Sequence, residues 1–307
     1  MKAASGKKLK VGAIKESRQK KTRRRGSKES SLRVVTSAPR RTRTKPPITL
    51  LTDFGNADYF VAAMKGVILS VNPDARVVDI THAVPAQDIE AAAFTLFAAH
   101  KSFPKGTIHV AVVDPGVGSN RRALLIKAAG QFFVGPDNGI LSYVCDESEP
   151  RVFHLNEPAY FRRPVSDTFH GRDIFAPIAA WLSLGLTPKR LGKEIDDYVR
   201  LPSLHPETNQ DGVISGRVIH IDHFGNCVTN ITTNELTAEL IAAGFRVTIR
   251  EHQVETFHRF FAEETNTNRA FCVWGSAGFL EIAAKNQSAA ELLNVKRGDP
   301  VVASRVR

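Results

Sequence analysis

The strongest constraint on this chain is an alternation of short apolar runs with segments of helical spacing. Residues 48–51 form a compact apolar run, and residues 58–71 then set Phe60, Met64, Val67, Ile68 and Val71 at helical intervals before Pro73. Residues 76–80 are β-branched and apolar, 87–101 read as an Ala/Phe/Leu helix ending near Pro104, and 108–113 are apolar again. Strands alternating with helices of this length predict βαβ units and a mostly parallel sheet. Further strands are expected at 123–127 and 131–134, and a helix at 171–184 with Pro177 as a kink.

Beyond residue 200 the texture changes. Residues 201–212 are polar, hold two prolines and read as a linker. Six β-rich runs follow, at 216–221, 227–231, 245–250, 270–274, 279–283 and 300–306, with turn signals between them. Short strands so punctuated predict a small antiparallel β-barrel. The expected organisation is therefore a basic tail (1–46), an N-terminal α/β domain (47–200), a linker (201–212) and a C-terminal β-barrel domain (213–307).

The net charge of +11 belongs to the tail. Of 42 Lys/Arg and 31 Asp/Glu, residues 1–46 hold 17 and 2, which leaves 25 and 29 in residues 47–307, a net of −4. The tail has too few large apolar side chains to offset the entropy of ordering, so disorder is expected. Its charge suits weak, salt-sensitive contact with nucleic acid or another anionic surface. No apolar run approaches the ~20 residues of a membrane span. The N-terminus lacks the apolar core of a secretory signal, which predicts a cytoplasmic protein. Cys145, Cys227 and Cys272 are far apart and form no CxxC pair, so buried free thiols are expected.

Three polar clusters directly follow apolar strands: Thr52-Asp53-Phe54-Gly55, Asp114-Pro115-Gly116-Val117-Gly118-Ser119 and Gly135-Pro136-Asp137-Asn138-Gly139. Each alone is ordinary turn chemistry. Together they suggest a site, because loops at the carboxyl ends of parallel strands converge on the ligand crevice. The glycines match neither a dinucleotide fingerprint nor a phosphate loop. Phe169-His170-Gly171-Arg172-Asp173 opens the 171–184 helix and supplies a side chain that can move protons near neutral pH. A metal set drawn from Asp53, Asp114, Asp137, His170 and Asp173 lacks HxxxH, HxH or DxD spacing, so no metal is expected. In the β-rich half, Asp222-His223-Phe224-Gly225-Asn226 with Thr229-Asn230, and later Trp274-Gly275-Ser276-Ala277-Gly278, interrupt apolar strands. An Asn there can pair with an amide-like or purine edge.

Taken in order, TDFG (52–55), DPGVGS-x-R (114–121), PDNG (136–139), FHGRD (169–173), DHFGN-x-x-TN (222–230) and GSAG-x-LEIA (275–283) resemble the S-adenosylmethionine hydroxide adenosyltransferases, relatives of the fluorinase and chlorinase. The resemblance covers about residues 48–306. It implies an α/β domain followed by a β-barrel, and a homotrimer with sites between subunits. It implies hydrolysis of S-adenosylmethionine to adenosine and methionine, with no metal or redox cofactor. By the same resemblance Asp114, Arg121 and His170 orient and activate water, Asp53 holds the ribose hydroxyls, Asp222 and Asn226 contact the methionine and adenine ends, and Ser276 and Glu281 line that pocket. Ser276-Ala277 departs from the halogenase pattern, where Arg follows Ser. A halide-using adenosyltransferase and a non-catalytic adenosine or S-adenosylmethionine sensor are the alternatives.

The charge division gives a first expectation. Deleting residues 1–46 leaves the folded body intact by circular dichroism and lowers its retention on heparin or DNA. Failure of the truncated chain to fold would give the tail a structural role.

Overall fold

The structure is a computed structural model and describes residues 45–146 and 148–306. The predicted tail, apart from Lys45 and Pro46, lies outside the described residues. The first apolar run is strand β1 (Ile48–Thr52), every residue of which is buried. Helix α1 (Phe60–Val71) buries Met64 and Ile68, one turn apart on one face. Strand β2 (Val77–Thr81), helix α2 (Ile89–His100) and the wholly buried strand β3 (Ile108–Val112) follow. Then come β4 (Ala123–Ala128), β5 (Gln131–Pro136), α3 (Ser142–Cys145), β6 (Arg151–Leu155), α4 (Ala176–Ser183) and β7 (Gly192–Ile195).

These seven strands make one sheet in the order β2-β1-β3-β5-β4-β6-β7. The β2-β1-β3-β5 part is parallel, whereas β4, β6 and β7 pair antiparallel. The sheet is thus mixed and mostly parallel, as expected, and its parallel part carries the loops after β1, β3 and β5. Gly171–Phe175 forms a π-helical turn that runs into α4, so Pro177 falls in the first turn of α4, where a missing N–H is tolerated.

The second half holds β8 (Glu207–Thr208), β9 (Ile214–Ile221), β10 (Cys227–Thr232), α5 (Ala238–Ala242), β11 (Phe245–Ile249), β12 (His252–Val254), β13 (Ala270–Trp274), β14 (Phe279–Ala284), α6 (Ala289–Leu292) and β15 (Pro300–Arg305). Their order, β12-β11-β15-β9-β10-β14-β13 with β8 on β9, makes a nearly closed antiparallel barrel. The stretch read as a linker is partly ordered, because β8 pairs with β9. Helix α2 is buried on several sides because it also packs on the barrel. Phe94 and Phe97 meet Ile219, Val228 and Phe279. Around them, Arg217 reaches Glu90 at 2.7 Å and Arg297 reaches Asp88 at 2.6 Å. Asp88 also caps α2 by accepting the Ala91 N–H at 2.9 Å.

Cys145, Cys227 and Cys272 are free and buried. Burial raises the thiols of Cys145 and Cys227 to about 11 and about 12, which keeps them protonated and unreactive. Among the described residues no helix is long and apolar enough to cross a membrane.

The PDNG loop has a structural task. Asp137 is buried and accepts Arg122 Nε at 2.8 Å and the Val199 N–H at 2.8 Å. Arg122 also donates to Asp197 at 2.9 Å, so the pair fastens residues 197–199 to the sheet. Asn138 Nδ2 donates to the Val113 carbonyl at 2.8 Å and fixes the end of the chain leaving β3. Asp137→Ala leaves a buried N–H and a guanidinium without their acceptor. It should lower stability by roughly 1–3 kcal/mol, read from the denaturant midpoint; an unchanged midpoint would contradict this role.

Candidate active site

β1 and β3 are adjacent and parallel, so the residues leaving their carboxyl ends, Asp53 and Asp114, arrive at the same edge of the sheet. From Asp114 the chain turns through Gly118, whose φ of +79° L-residues rarely adopt. A Cβ at Gly118 would lie 2.3 Å from the Asp167 carbonyl oxygen, so only glycine lets this turn sit against residue 167. The turn delivers Arg121 just ahead of β4, facing back toward Asp114.

Arg121 is the hub. Its Nε donates to Asp114 Oδ1 at 2.8 Å, and its Nη2 donates to Asp114 Oδ2. The same Nη2 lies 2.7 Å from His170 Nδ1. Arginine has no acceptor and stays charged, so it donates and His170 Nδ1 accepts. A neutral His170 then carries its proton on Nε2, a tautomer assigned from this contact. Burial, and next the Arg121 charge, push the His170 imidazole below its usual value; Asp114, Asp173 and Asp167 pull the other way. The imidazole is therefore neutral over more of the pH range than a free histidine.

Asp53, Asp114 and His170 line one cavity of about 400 Å³, with Phe54, Phe60 and Phe169 as an aromatic wall. Those rings lie 5.4–5.8 Å apart in tilted or edge-to-face contacts. Gln87 also lines this cavity and escaped sequence reading. It holds φ of 64°, and its N–H donates to Asp53 Oδ2 at 2.8 Å. No sequence signal marks it, since glutamine is not a usual residue for that conformation.

The other predicted site residues gather elsewhere. Asp222, Asn226, Ser276 and Glu281 line a second cavity of about 1060 Å³ on the barrel, together with Phe224, Phe261, Trp274 and Lys285. No residue lines both cavities. Asp222 Oδ1 accepts the Phe224 and Asn226 N–H groups at 2.9 Å, and Oδ2 accepts Asn226 Nδ2 at 2.9 Å. Gly275 admits Glu281, because a Cβ there would lie 1.8 Å from its Oε1. Burial and the nearby Asp222 push the Glu281 carboxyl up to about 7. Phe224 is 75% exposed, an open aromatic face beside these polar groups.

Two candidates leave the site. Asp137 pairs with Arg122, and Asn230 Oδ1 accepts the Arg217 N–H at 2.7 Å. Of the residues weighed as a metal set, Asp137 and Asp173 are held by arginines. Among the described residues, no three His, Cys, Asp or Glu side chains are grouped to hold a metal ion.

Comparison with known proteins matches residues 48–192 to the SAM hydroxide adenosyltransferase N-terminal domain and residues 216–302 to its C-terminal domain. This chain belongs to the SAM hydroxide adenosyltransferase family. A (R)-S-adenosyl-L-methionine hydrolase from Thermus thermophilus is 39% identical over 266 residues, spanning 83% of this chain and 98% of that protein. A hydrolase of the same name from Methanocaldococcus jannaschii is 37% identical, over 83% and 94%. A fluorinase from Nocardia brasiliensis is 28% identical, over 83% and 95%. The crystal structure of an uncharacterized conserved protein from Thermotoga maritima superposes with a TM-score of 0.78 at 35% identity, over 84% of this chain and all of that one. In this adenosyltransferase-family chain, both family domains therefore contribute one of the two cavities.

The Arg121 contact sets an expected titration. The His170 ring, followed by NMR, titrates below 6.5, and Arg121→Gln raises its midpoint because the depressing charge goes while Asp114 remains. A midpoint unmoved by the substitution would mean that the two side chains are apart in solution.

Proposed function

We propose that this chain hydrolyses S-adenosyl-L-methionine to adenosine and L-methionine, by in-line attack of water at the ribose C5′. The bridge that Arg121 makes between Asp114 and His170, on the cavity that Asp53 lines, carries the proposal. The O–C5′ bond forms as C5′–S breaks, and the electron pair goes to sulfur. Methionine leaves as a neutral thioether, so no acid is needed to protonate it and no metal is needed to neutralise it. Water is the weak partner. Asp114 accepts from it and takes up its departing proton, while Arg121 and the Nε2–H of His170 favour the developing hydroxide. This modifies the expectation of His170 as the base, because its Nδ1 is occupied by an Arg121 N–H. Asp53 holds the ribose hydroxyls. Attack by hydroxide on a sulfonium cancels charge, so a site closed to water favours the reaction.

Asp222 and Asn226 contact the methionine and adenine ends of the substrate, and Ser276 and Glu281 line that pocket. Their cavity shares no residue with the first, which supports a site completed between subunits of a homotrimer. Three unpaired buried thiols agree with a reducing, cytoplasmic setting. Contact of the basic tail with nucleic acid rests on its charge alone.

Turnover decides the reading. Purified protein given S-adenosylmethionine, as separate sulfonium epimers, yields adenosine and methionine with EDTA present. A chlorinated nucleoside on adding chloride would show a halide-using enzyme, and no product at all would leave a sensor. His170→Ala lowers kcat by ~10²–10³-fold, the cost of losing one donor to the developing hydroxide, with little change in KM, whereas Asp53→Ala mainly raises KM. Near-normal kcat in His170→Ala would remove the water-activating group from the mechanism.

Subunit completion has its own test. His170→Ala and Asp222→Ala chains, each of low activity alone, regain activity when mixed under conditions that exchange subunits. Lack of recovery despite verified exchange would place both cavities' chemistry within one chain.

A further inference from the structure

Asp173 belongs to the same short motif as His170, lines neither cavity, and is fully buried. Its carboxylate accepts four hydrogen bonds. Oδ1 takes Arg172 Nε at 2.7 Å and Arg162 Nη1 at 3.1 Å; Oδ2 takes Arg172 Nη2 at 2.8 Å and the Ser166 N–H at 2.9 Å. The Asp173 carbonyl also accepts the Arg162 N–H at 2.9 Å. One residue thus ties both ends of the irregular segment 162–166 to the π-helical turn.

That segment leads straight to the first cavity. Ser166 Oγ accepts the Thr168 N–H at 3.2 Å, and Thr168, Phe169 and His170 form part of the cavity wall. The Asp167 carbonyl is the atom against which Gly118 fits. Arg172 lies over the Phe169 ring, 5.0 Å from its centroid. Through Asp167, the residue that follows it, the segment therefore reaches the Asp114–Arg121 turn, and it runs on into His170. An irregular stretch without such ties would sample many conformations, and the 2.7 Å contact between Arg121 and His170 tolerates little displacement. Burial by itself would raise the Asp173 carboxyl; the Arg172, Ser166 and Arg162 hydrogen bonds outweigh it and hold the group below its usual value. The carboxylate is thus ionised and available to both arginines.

We propose that Asp173 is a positioning residue: by pinning residues 162–166 through Arg162, Arg172 and Ser166, it fixes His170 against Arg121 and seats Thr168 and Phe169 in the cavity wall. The functional importance of that wall rests on the hydrolase reading; the placement of His170 does not.

Two substitutions and two readouts test it. Arg162→Ala removes the half-exposed tie and spares the buried carboxylate, and Asp173→Asn removes the charge. Each should lower kcat by ~10–100-fold, the cost of a small misplacement of reacting groups, with KM for S-adenosylmethionine within about threefold, a change well under one tenfold step of affinity. Millimolar guanidinium should restore part of the Arg162→Ala loss by refilling the tie. A merely structural role would lower the melting temperature and leave kcat per folded site unchanged. Loss of KM alone, or normal kcat in folded Arg162→Ala, overturns the proposal. If Asp173→Asn fails to fold, Arg162→Ala decides alone. The second readout needs no turnover: NMR of the His170 ring should show altered shifts in Arg162→Ala and, in Asp173→Asn, a lower midpoint, because a nearby negative charge is gone. If the wild type lacks hydrolase activity, this measurement still decides whether Asp173 positions His170, and unchanged His170 signals in both variants refute it.

Discussion

A single guanidinium organises the first cavity. Arg121 has five N–H donors in a rigid plane and no acceptor, and it spends them on a carboxylate from one loop and an imidazole from another. Asp114, Arg121 and His170 come from the end of β3, the approach to β4 and the start of the π-helical turn. None of the three can move without breaking a charged hydrogen bond in a poorly hydrated place, where an unmatched charge is costly. The bridge also fixes the chemistry open to His170, because the nitrogen facing Arg121 can only accept.

Much of the surrounding fold holds that bridge in place. Parallel pairing of β1 and β3 brings Asp53 and Asp114 to the same edge of the sheet. Asn138 clamps the Val113 carbonyl. Gly118 lets two loops approach to a distance that any Cβ would prevent. Asp173 ties the segment leading to His170. These supporting contacts account for motif residues that touch neither cavity. PDNG and the end of FHGRD are scaffold as much as site.

The barrel offers a contrasting environment. Burial and the nearby Asp222 charge push the Glu281 carboxyl up to about 7, so it is only partly ionised at pH 7. Such a pair suits a cationic ligand, which would restore the ionised form. The opposite arrangement at Arg121, a cation held between an anion and a neutral ring, suits a developing hydroxide. The proposed hydrolysis brings a sulfonium and a developing hydroxide together on one carbon, and these two surroundings suit one each.

The sequence by itself determined the elements and the residue types. Hydrophobic period distinguished β1, α1, α2 and β3, because burial on one face or both leaves a repeat that can be read locally. Ordered motifs marked Asp53, Asp114, Arg121, His170, Asp222, Asn226, Ser276 and Glu281. Strands β6 and β7 escaped notice: RVFHL is short, and GKEI has two exposed charged residues, so neither shows a clear period. Tertiary structure alone decided which acids reach a cavity. Asp53, Asp114 and Asp137 look alike as turn acids after strands, yet Arg122 captures Asp137, a choice made by a neighbour across the sheet. It likewise decided that His170 accepts from Arg121, that a π-helical turn precedes Pro177, and that the predicted residues fall into two cavities. Each depends on contacts between segments distant in sequence, and local patterns of hydrophobicity and turn chemistry carry no information about them.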